Sequence, residues 1–487
     1  MSVMVDLCAT VILGTAISVV YWLLKQWWID AQHAAYMLPG PRRIPLFGNA
    51  HQVGLDSQHT TFREWAKRYG DVIYLHIFNR PTLVLNSVEA ARDLLDRRSA
   101  IYSDRPHFIL FVDMFDWNPN PALMPYGPWW RQHRVWLHAG LMEKGSLMQY
   151  EPLLRRETNQ LILALIDSPD EFALHIKRRA FACRVRFAGC LMLDIAYGPA
   201  ATSVDDELIM LADTVVREAM DAGSIAGTLV DFFPAIQYIP SWFPGGGFKR
   251  RAARIRGMMH EMYNRPYEQV KATMSCGNAE VSFLSSLLKS MAADGDLTPQ
   301  HEEHLKGAAI VLYTAQDEID RVVGNARLPD FEDRGSLPYL EWTVGIPHST
   351  STTSTAIYTS LEDPRLSQTY GTSQHTAHKW YPDPDTFRPE RFQEMDPSVA
   401  EAQNPRKLVF GFGRRICPGR HLADQILWLA IVTILSVFDI CKARDMVGNE
   451  ITPKAAFASG VISLSNAQSD RGGGMQLAFA GTESNMT

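Results

Sequence analysis

The stretch FGFGRRICPGRHLA, Phe410 to Ala423, narrows the fold most. It sets one cysteine among glycines and arginines immediately before a long apolar run. Pro418 suits the first position of a helix, where its missing N–H costs nothing. The run that follows, GRHLADQILWLAIVTILSVF, is apolar on nearly every side and predicts a buried helix. Cys417 therefore stands at a predicted helix N-terminus, where the dipole and the free N–H groups stabilise a thiolate. Gly411, Gly413 and Gly419 permit close backbone approach or a positive φ. Arg415, two residues from the sulfur, adds a fixed positive charge.

An inert cysteine at a helix start would account for Cys417 alone. A thiolate, close backbone and a carboxylate-binding arginine together suit a haem, with sulfur on iron and guanidinium on a propionate. The other cysteines, Cys8, Cys183, Cys190, Cys276 and Cys441, are scattered with no CxxC pair. That pattern fits a reducing compartment and offers no zinc framework. HEEH, His301 to His304, places its histidines at i and i+3 and misses the HExxH zinc pattern. A net charge of −6 argues against a nucleic-acid partner.

Leu7 to Leu24 carries no charge and is just long enough to span a bilayer. Tyr21, Trp22, Trp27 and Trp28 cluster at its end like an interfacial belt, and Lys25 follows. Asp6 precedes it and no positive n-region does, which disfavours a cleaved signal. The expectation is a retained single-pass anchor with the body on the cytosolic side. The chain then divides into a membrane anchor (1–30), a Pro-rich hinge (31–50) and one large domain (51–487), with atypical stretches at 349–378 and 464–487. DVIYLHIF and PTLVLNS predict a hairpin, and Val88 to Met291 reads as mainly helical. Trp242 and Phe243 beside Lys249, Arg250 and Arg251 fit a second membrane contact or a solvated surface loop. Ser349 to His378 is nearly half serine and threonine, without apolar periodicity, and reads as loop or disorder. The tail after Ser463 is also weakly patterned.

Phe410, Gly413, Arg415, Cys417 and Gly419 match FxxGxRxCxG, the haem-binding signature of the cytochrome P-450 family. The anchor, the Pro-rich hinge, Trp130 and Arg134 in YGPWWRQHRVW, and YPDPDTFRPERF resemble that family too. The wording is similar to its basidiomycete members of secondary metabolism. The resemblance implies a mainly α fold with small peripheral β-sheets and haem b bound by the Cys417 thiolate. Phe410 would pack beside the thiolate. Trp130, Arg134, Arg415 and His348 would serve the propionates. Trp130 and Arg134, at i and i+4, share one helix face. Phe108 to Trp117 resembles the variable loop over the substrate pocket, or is simply core. Arg131, Arg414 and Arg420 would face an acidic reductase or solvent.

The sequence also departs from the family. HLKGAAIVLYTA starts the distal helix, but QDEIDRVVG follows where an acid–threonine pair should relay protons. The ExxR helix is missing where LPYLEWTV runs into GIPH. Glu318 and Arg321 in EIDR read as coincidental helix-face charges. Buried without those partners, Arg391 of RPERF would cost roughly 3–5 kcal/mol. These losses, with the two atypical stretches, suggest skipped segments and shifted frames in the reading of the gene.

The resemblance therefore implies an endoplasmic-reticulum monooxygenase. It would insert one oxygen atom of O2 into a small apolar metabolite, with electrons from NADPH through NADPH-cytochrome P-450 reductase. A haem-thiolate isomerase or peroxygenase, and a catalytically impaired or inactive truncated isoform, are the alternatives. No catalytic acid–threonine pair is assigned.

Overall fold

The computed structural model describes residues 14, 21, 25, 38–44, 47–53, 58–78, 80–167, 187–198, 206–222, 229–295, 297–314, 355–359, 367–371, 394–396, 398–399, 404, 410–442 and 475–479. The expected anchor (apart from Gly14 and Tyr21), His348, Glu318, Arg321, Arg391 and Tyr381–Phe392 lie outside them. Among the described residues, no helix is long and apolar enough to cross a membrane. The chain forms two units, one of residues 1–103 and 352–379, the other of 104–351 and 380–487.

The first unit is built on a hairpin. Val72–Ile77 (β1) pairs antiparallel with Arg80–Leu85 (β2), Val72 opposite Leu85 and Ile77 opposite Arg80. The strands are rich in β-branched and aromatic residues, as the sequence predicts. Ile73, Leu75 and Val84 point into a small core with Phe62 of the helix Gln58–Tyr69 (α1) and with Val53. The described part of the Pro-rich hinge is tied to β1. Tyr74 N–H donates to the Pro39 carbonyl at 2.9 Å. The buried Asn49 side chain accepts from His76 N–H and donates to the Pro41 and Arg42 carbonyls. A short helix, Val88–Ala91 (α2), follows, capped by the Ser87 side chain.

The loop expected over 349–378 requires correction. Thr355–Thr359 (β3) and Ser367–Gly371 (β4) form an antiparallel hairpin. Serine and threonine content pointed to a loop, but Thr355, Ile357, Tyr358 and Thr359 are strand formers, and pairing rewards them.

The second unit is a helical assembly. Its helices are Pro128–Leu141 (α3), Lys144–Asp167 (α4), Phe187–Tyr197 (α5), Asp206–Ala222 (α6), Leu229–Phe232 (α7), Gly247–Ser275 (α8), Phe283–Asp294 (α9), Pro299–Thr314 (α10) and Arg420–Ile434 (α11). The starts follow from sequence. Pro128 stands at the first turn of α3. Ser282 and Ser285 form a reciprocal capping box on α9, which ends at Gly295 with φ 73°. α5 lies against α4, α9 and α10, while α11 packs on α4. Leu141, Leu154, Leu161, Leu165, Leu191, Leu305 and Trp428 are fully buried in this core. α11 is buried as expected, but it ends at Ile434. Phe438–Lys442 (β5) follows and pairs antiparallel with Met475–Phe479 (β6). Part of the weakly patterned tail is therefore strand. The two strands are five residues each and more than thirty residues apart, a pairing too brief and too distant for periodicity to reveal.

Candidate functional site

The cysteine loop closes on itself. Cys417 N–H donates to the Phe410 carbonyl at 2.8 Å, and Ile416 N–H reaches the Gly413 carbonyl at 3.2 Å. Two of the three glycines take the left-handed backbone that favours glycine, Gly411 at φ 77° and Gly413 at φ 59°. Gly419 has an ordinary φ of −82°, and a side chain there would stand 3.9 Å from the Cys417 sulfur. Phe410 packs against the main core. Pro418 does not open the helix as expected. Pro418 and Gly419 form a turn, Gly419 caps α11, and Ala423 N–H makes the first helical bond to the Gly419 carbonyl at 2.8 Å. Cys417 thus lies just ahead of the helix start, because the backbone of Gly419, at ψ 3°, is not yet helical.

Arg415 of this loop meets two side chains of α3, Trp130 and Arg134. Arg415 donates through Nη1 to the Pro121 carbonyl at 3.0 Å and through Nη2 to the Met124 carbonyl at 2.9 Å. Its guanidinium stands 4.5 Å from the centre of the Trp130 ring. Trp130 Nε1–H donates to the same Pro121 carbonyl at 3.1 Å. Arg134, one turn along α3, is near enough to Cys417 for a thiolate's charge to act on it. Further out, Tyr126 lies between Arg131 and Arg414, and its hydroxyl accepts from Arg414 at 2.7 Å.

The cations are held at a cost. Burial, reinforced by Arg105 and Arg134 and opposed by Asp104, pushes the Arg415 guanidinium down to about 9. Burial also lowers Arg134; the Cys417 charge opposes this and Arg420 adds to it. Partly buried like charges are unfavourable, and an anion carrying two carboxylates relieves them. With the glycine-lined sulfur, the residues present fit a haem. Among the described residues, no group of three or more His, Cys, Asp or Glu side chains forms another metal site.

The Phe108–Trp117 segment contains a wide helical turn, Ile109–Met114, and buries Leu110, Phe115 and Trp117 in the core. Asp116, at φ 57°, accepts from Arg256 at 2.9 Å and His260 at 2.7 Å, one turn apart on α8.

The family model for cytochrome P-450 matches residues 38–316 and 368–461. The chain belongs to the cytochrome P-450 family. It is 38% identical over 483 residues to cytochrome P-450 monooxygenase 136 of Postia placenta, covering 90% of this chain and 88% of that protein. It is 34% identical over 466 residues to cytochrome P-450 monooxygenase claR of Ampulloclitocybe clavipes, covering 87% and 84%. It is 32% identical over 472 residues to tryptamine 4-monooxygenase of Psilocybe cyanescens, covering 87% and 90%. By homology the chain is an oxidoreductase of the cytochrome P-450 monooxygenase family, whose members hold haem iron through a thiolate. The two matched stretches leave 317–367 between them. That interval includes Glu318 and Arg321 and most of the region where family members carry the distal pair and the ExxR helix.

The structure thus brings Trp130, Arg134, Arg415 and Cys417 together, while His348 lies outside the described residues. Sequence reasoning missed Pro121 and Met124. They act through backbone carbonyls, which no residue letter marks. It also missed His133, fully buried on α3, whose Nε2 lies 2.9 Å from Nδ1 of His304 on α10. His304 is one of the two histidines of HEEH.

Proposed function

We propose that this chain binds haem b through Cys417 and acts as a monooxygenase on a small apolar metabolite. Bound haem supplies the activation of O2, with electrons from NADPH through NADPH-cytochrome P-450 reductase. Trp130, Arg134 and Arg415 take the propionates, with His348 assigned to the same task. Phe410 and Gly419 shield and approach the sulfur, and Gly411 and Gly413 shape the loop around it. The observation that carries this reading is Arg415. It stands two residues from Cys417, on the ring of Trp130, and its burial calls for an anion.

The interval 317–367, unmatched by the family model, favours a second reading. There the chain holds haem but lacks the distal proton relay. It is then either an impaired isoform or an isomerase or peroxygenase. One series of measurements separates these. The full chain is expressed, reduced and exposed to CO. A strongly red-shifted Soret band marks thiolate-ligated haem, and Cys417→Ser should abolish it. No band in the parent chain defeats the haem-thiolate assignment. NADPH-driven turnover with the reductase then supports the monooxygenase. Haem without turnover supports the second reading, and peroxide-driven turnover its peroxygenase form.

The same proposal includes a single-pass anchor at Leu7–Leu24 in the endoplasmic reticulum, with the catalytic part cytosolic. Tyr238, Trp242 and Phe243 support a second contact with the bilayer: Trp242 is 79% exposed and Phe243 50%. In fractionated cells the full chain should sediment with membranes. Deleting residues 1–30 should leave a residual membrane fraction that Trp242→Ser with Phe243→Ser removes. A full chain in the soluble fraction would defeat the localisation.

A further inference from the structure

α10 meets the surroundings of Cys417 twice, through residues three apart on one helix face. His304 Nδ1 lies 2.9 Å from His133 Nε2, with the two rings nearly perpendicular. Trp129 lies flat on His304, centroids 3.8 Å apart and planes within 6°. One turn on, Gly307 abuts the chain at Pro119. A Cβ at Gly307 would stand 1.7 Å from the Pro119 carbonyl oxygen, so only glycine admits this approach.

Both contacts lead toward the cations. His133 precedes Arg134 and stands one turn from Trp130 on α3. Pro119 is two residues before Pro121, whose carbonyl takes both Trp130 and Arg415. Among the described residues, His133 Nδ1 has no hydrogen-bond partner. The contact with His304 is therefore the hydrogen bond that a fully buried imidazole makes, and losing it strands a polar ring in the core.

We propose that His304 and Gly307 are positioning residues. They brace α3 and the 119–124 segment against α10 and so hold Trp130, Arg134 and Arg415 in place beside Cys417. The proposal rests on Cys417 being the haem ligand.

The test compares the full-length parent chain with His304→Ala, His304→Gln and Gly307→Ala. The readout is the share of reduced, CO-bound pigment in the red-shifted thiolate band, with far-UV circular dichroism as the folding check. His304→Ala should lower the ratio of the red-shifted band to the remaining CO-bound pigment by about fivefold, the effect of one buried hydrogen bond. His304→Gln keeps a donor and an acceptor and should recover most of it. Gly307→Ala should lower the share while the helical signal stays. A share unchanged in both alanine variants overturns the proposal, as does a glutamine variant no better than alanine. Should His304→Ala not fold, Gly307→Ala decides by the same ratio. A parent chain without the red-shifted band overturns the Cys417 assignment and this proposal with it. A parent chain with the band and indifferent variants overturns this proposal alone.

Discussion

Arg415 and Trp130 share one acceptor. The guanidinium and the indole N–H both donate to the Pro121 carbonyl, and the cation lies 4.5 Å from the ring centre. The arginine of the cysteine loop is thereby keyed to α3 through backbone, ring and charge at once.

Arg415→Lys should therefore cost more than Trp130→Phe. Lysine cannot reach two carbonyls in the fork geometry of a guanidinium. The expected loss in unfolding free energy is about 1.5–3 kcal/mol, from a lost hydrogen bond to a charged group. Trp130→Phe leaves Arg415 on the Pro121 carbonyl and should cost about 0.5–1.5 kcal/mol. Urea unfolding of the full chain measures both, and equal costs would refute the ranking.

Acid should weaken the α3–α10 contact. Burial pushes His133 down to about 3, with His304 adding to it; burial pushes His304 down to about 4, with His301 adding to it. Both folded values lie below the ordinary 6.5, so the unfolded chain takes up these protons first. The stability from neutral His133 and His304 is complete above about 6.5 and is lost as pH falls toward 4 and 3. The fully buried His133 alone contributes a slope of at most about 1.4 kcal/mol per pH unit. Between pH 7 and 5, His133→Gln should show a shallower fall in urea midpoint than the parent chain. Parallel curves would count against a neutral buried pair.

Arg156 neutralises two buried carboxylates. It donates to Glu157 at 2.8 Å and to Asp194 at 2.5 Å, linking α4 to α5. Arg156→Met should destabilise the chain by about 1.5–3 kcal/mol at pH 7, because two buried carboxylates lose charge-assisted hydrogen bonds. Burial already raises Glu157. With the arginine gone, the folded Glu157 carboxyl titrates further above its unfolded value. The variant should thus regain relative stability as pH falls to 5, and a deficit independent of pH would exclude this cause.

Asp116 joins the Phe108–Trp117 segment to α8 from a left-handed backbone. Asp116→Ala removes both bonds and keeps the strain, and should cost about 1–3 kcal/mol. Asp116→Gly removes the bonds but relieves the strain, so it should cost less by about 1 kcal/mol. Thermal unfolding of the two variants gives the order, and glycine below alanine would contradict it.

Local features were the legible ones. The cysteine loop, the β1–β2 hairpin and the shared face of Trp130 and Arg134 each lie within a few residues, where spacing and side-chain type carry the information. The misses came from elsewhere. The Pro121 and Met124 carbonyls have no signature in residue type. His133 and His304 are 171 residues apart, and the spacing within HEEH carries no sign of a partner on α3. β3, β4 and β6 are short strands that pairing stabilises, in stretches where composition suggested loop.

The hydrogen bond from Cys417 back to Phe410 has a consequence for how such a chain tolerates change. It makes the sulfur's immediate setting, Arg415 included, a self-contained cassette, whereas Trp130, Arg134 and the Pro121 and Met124 carbonyls come from remote parts of the polypeptide. Insertions, deletions or splicing changes elsewhere can then spare the thiolate loop while dismantling its electrostatic collar. An intact cysteine motif therefore does not by itself establish that the collar around it is intact.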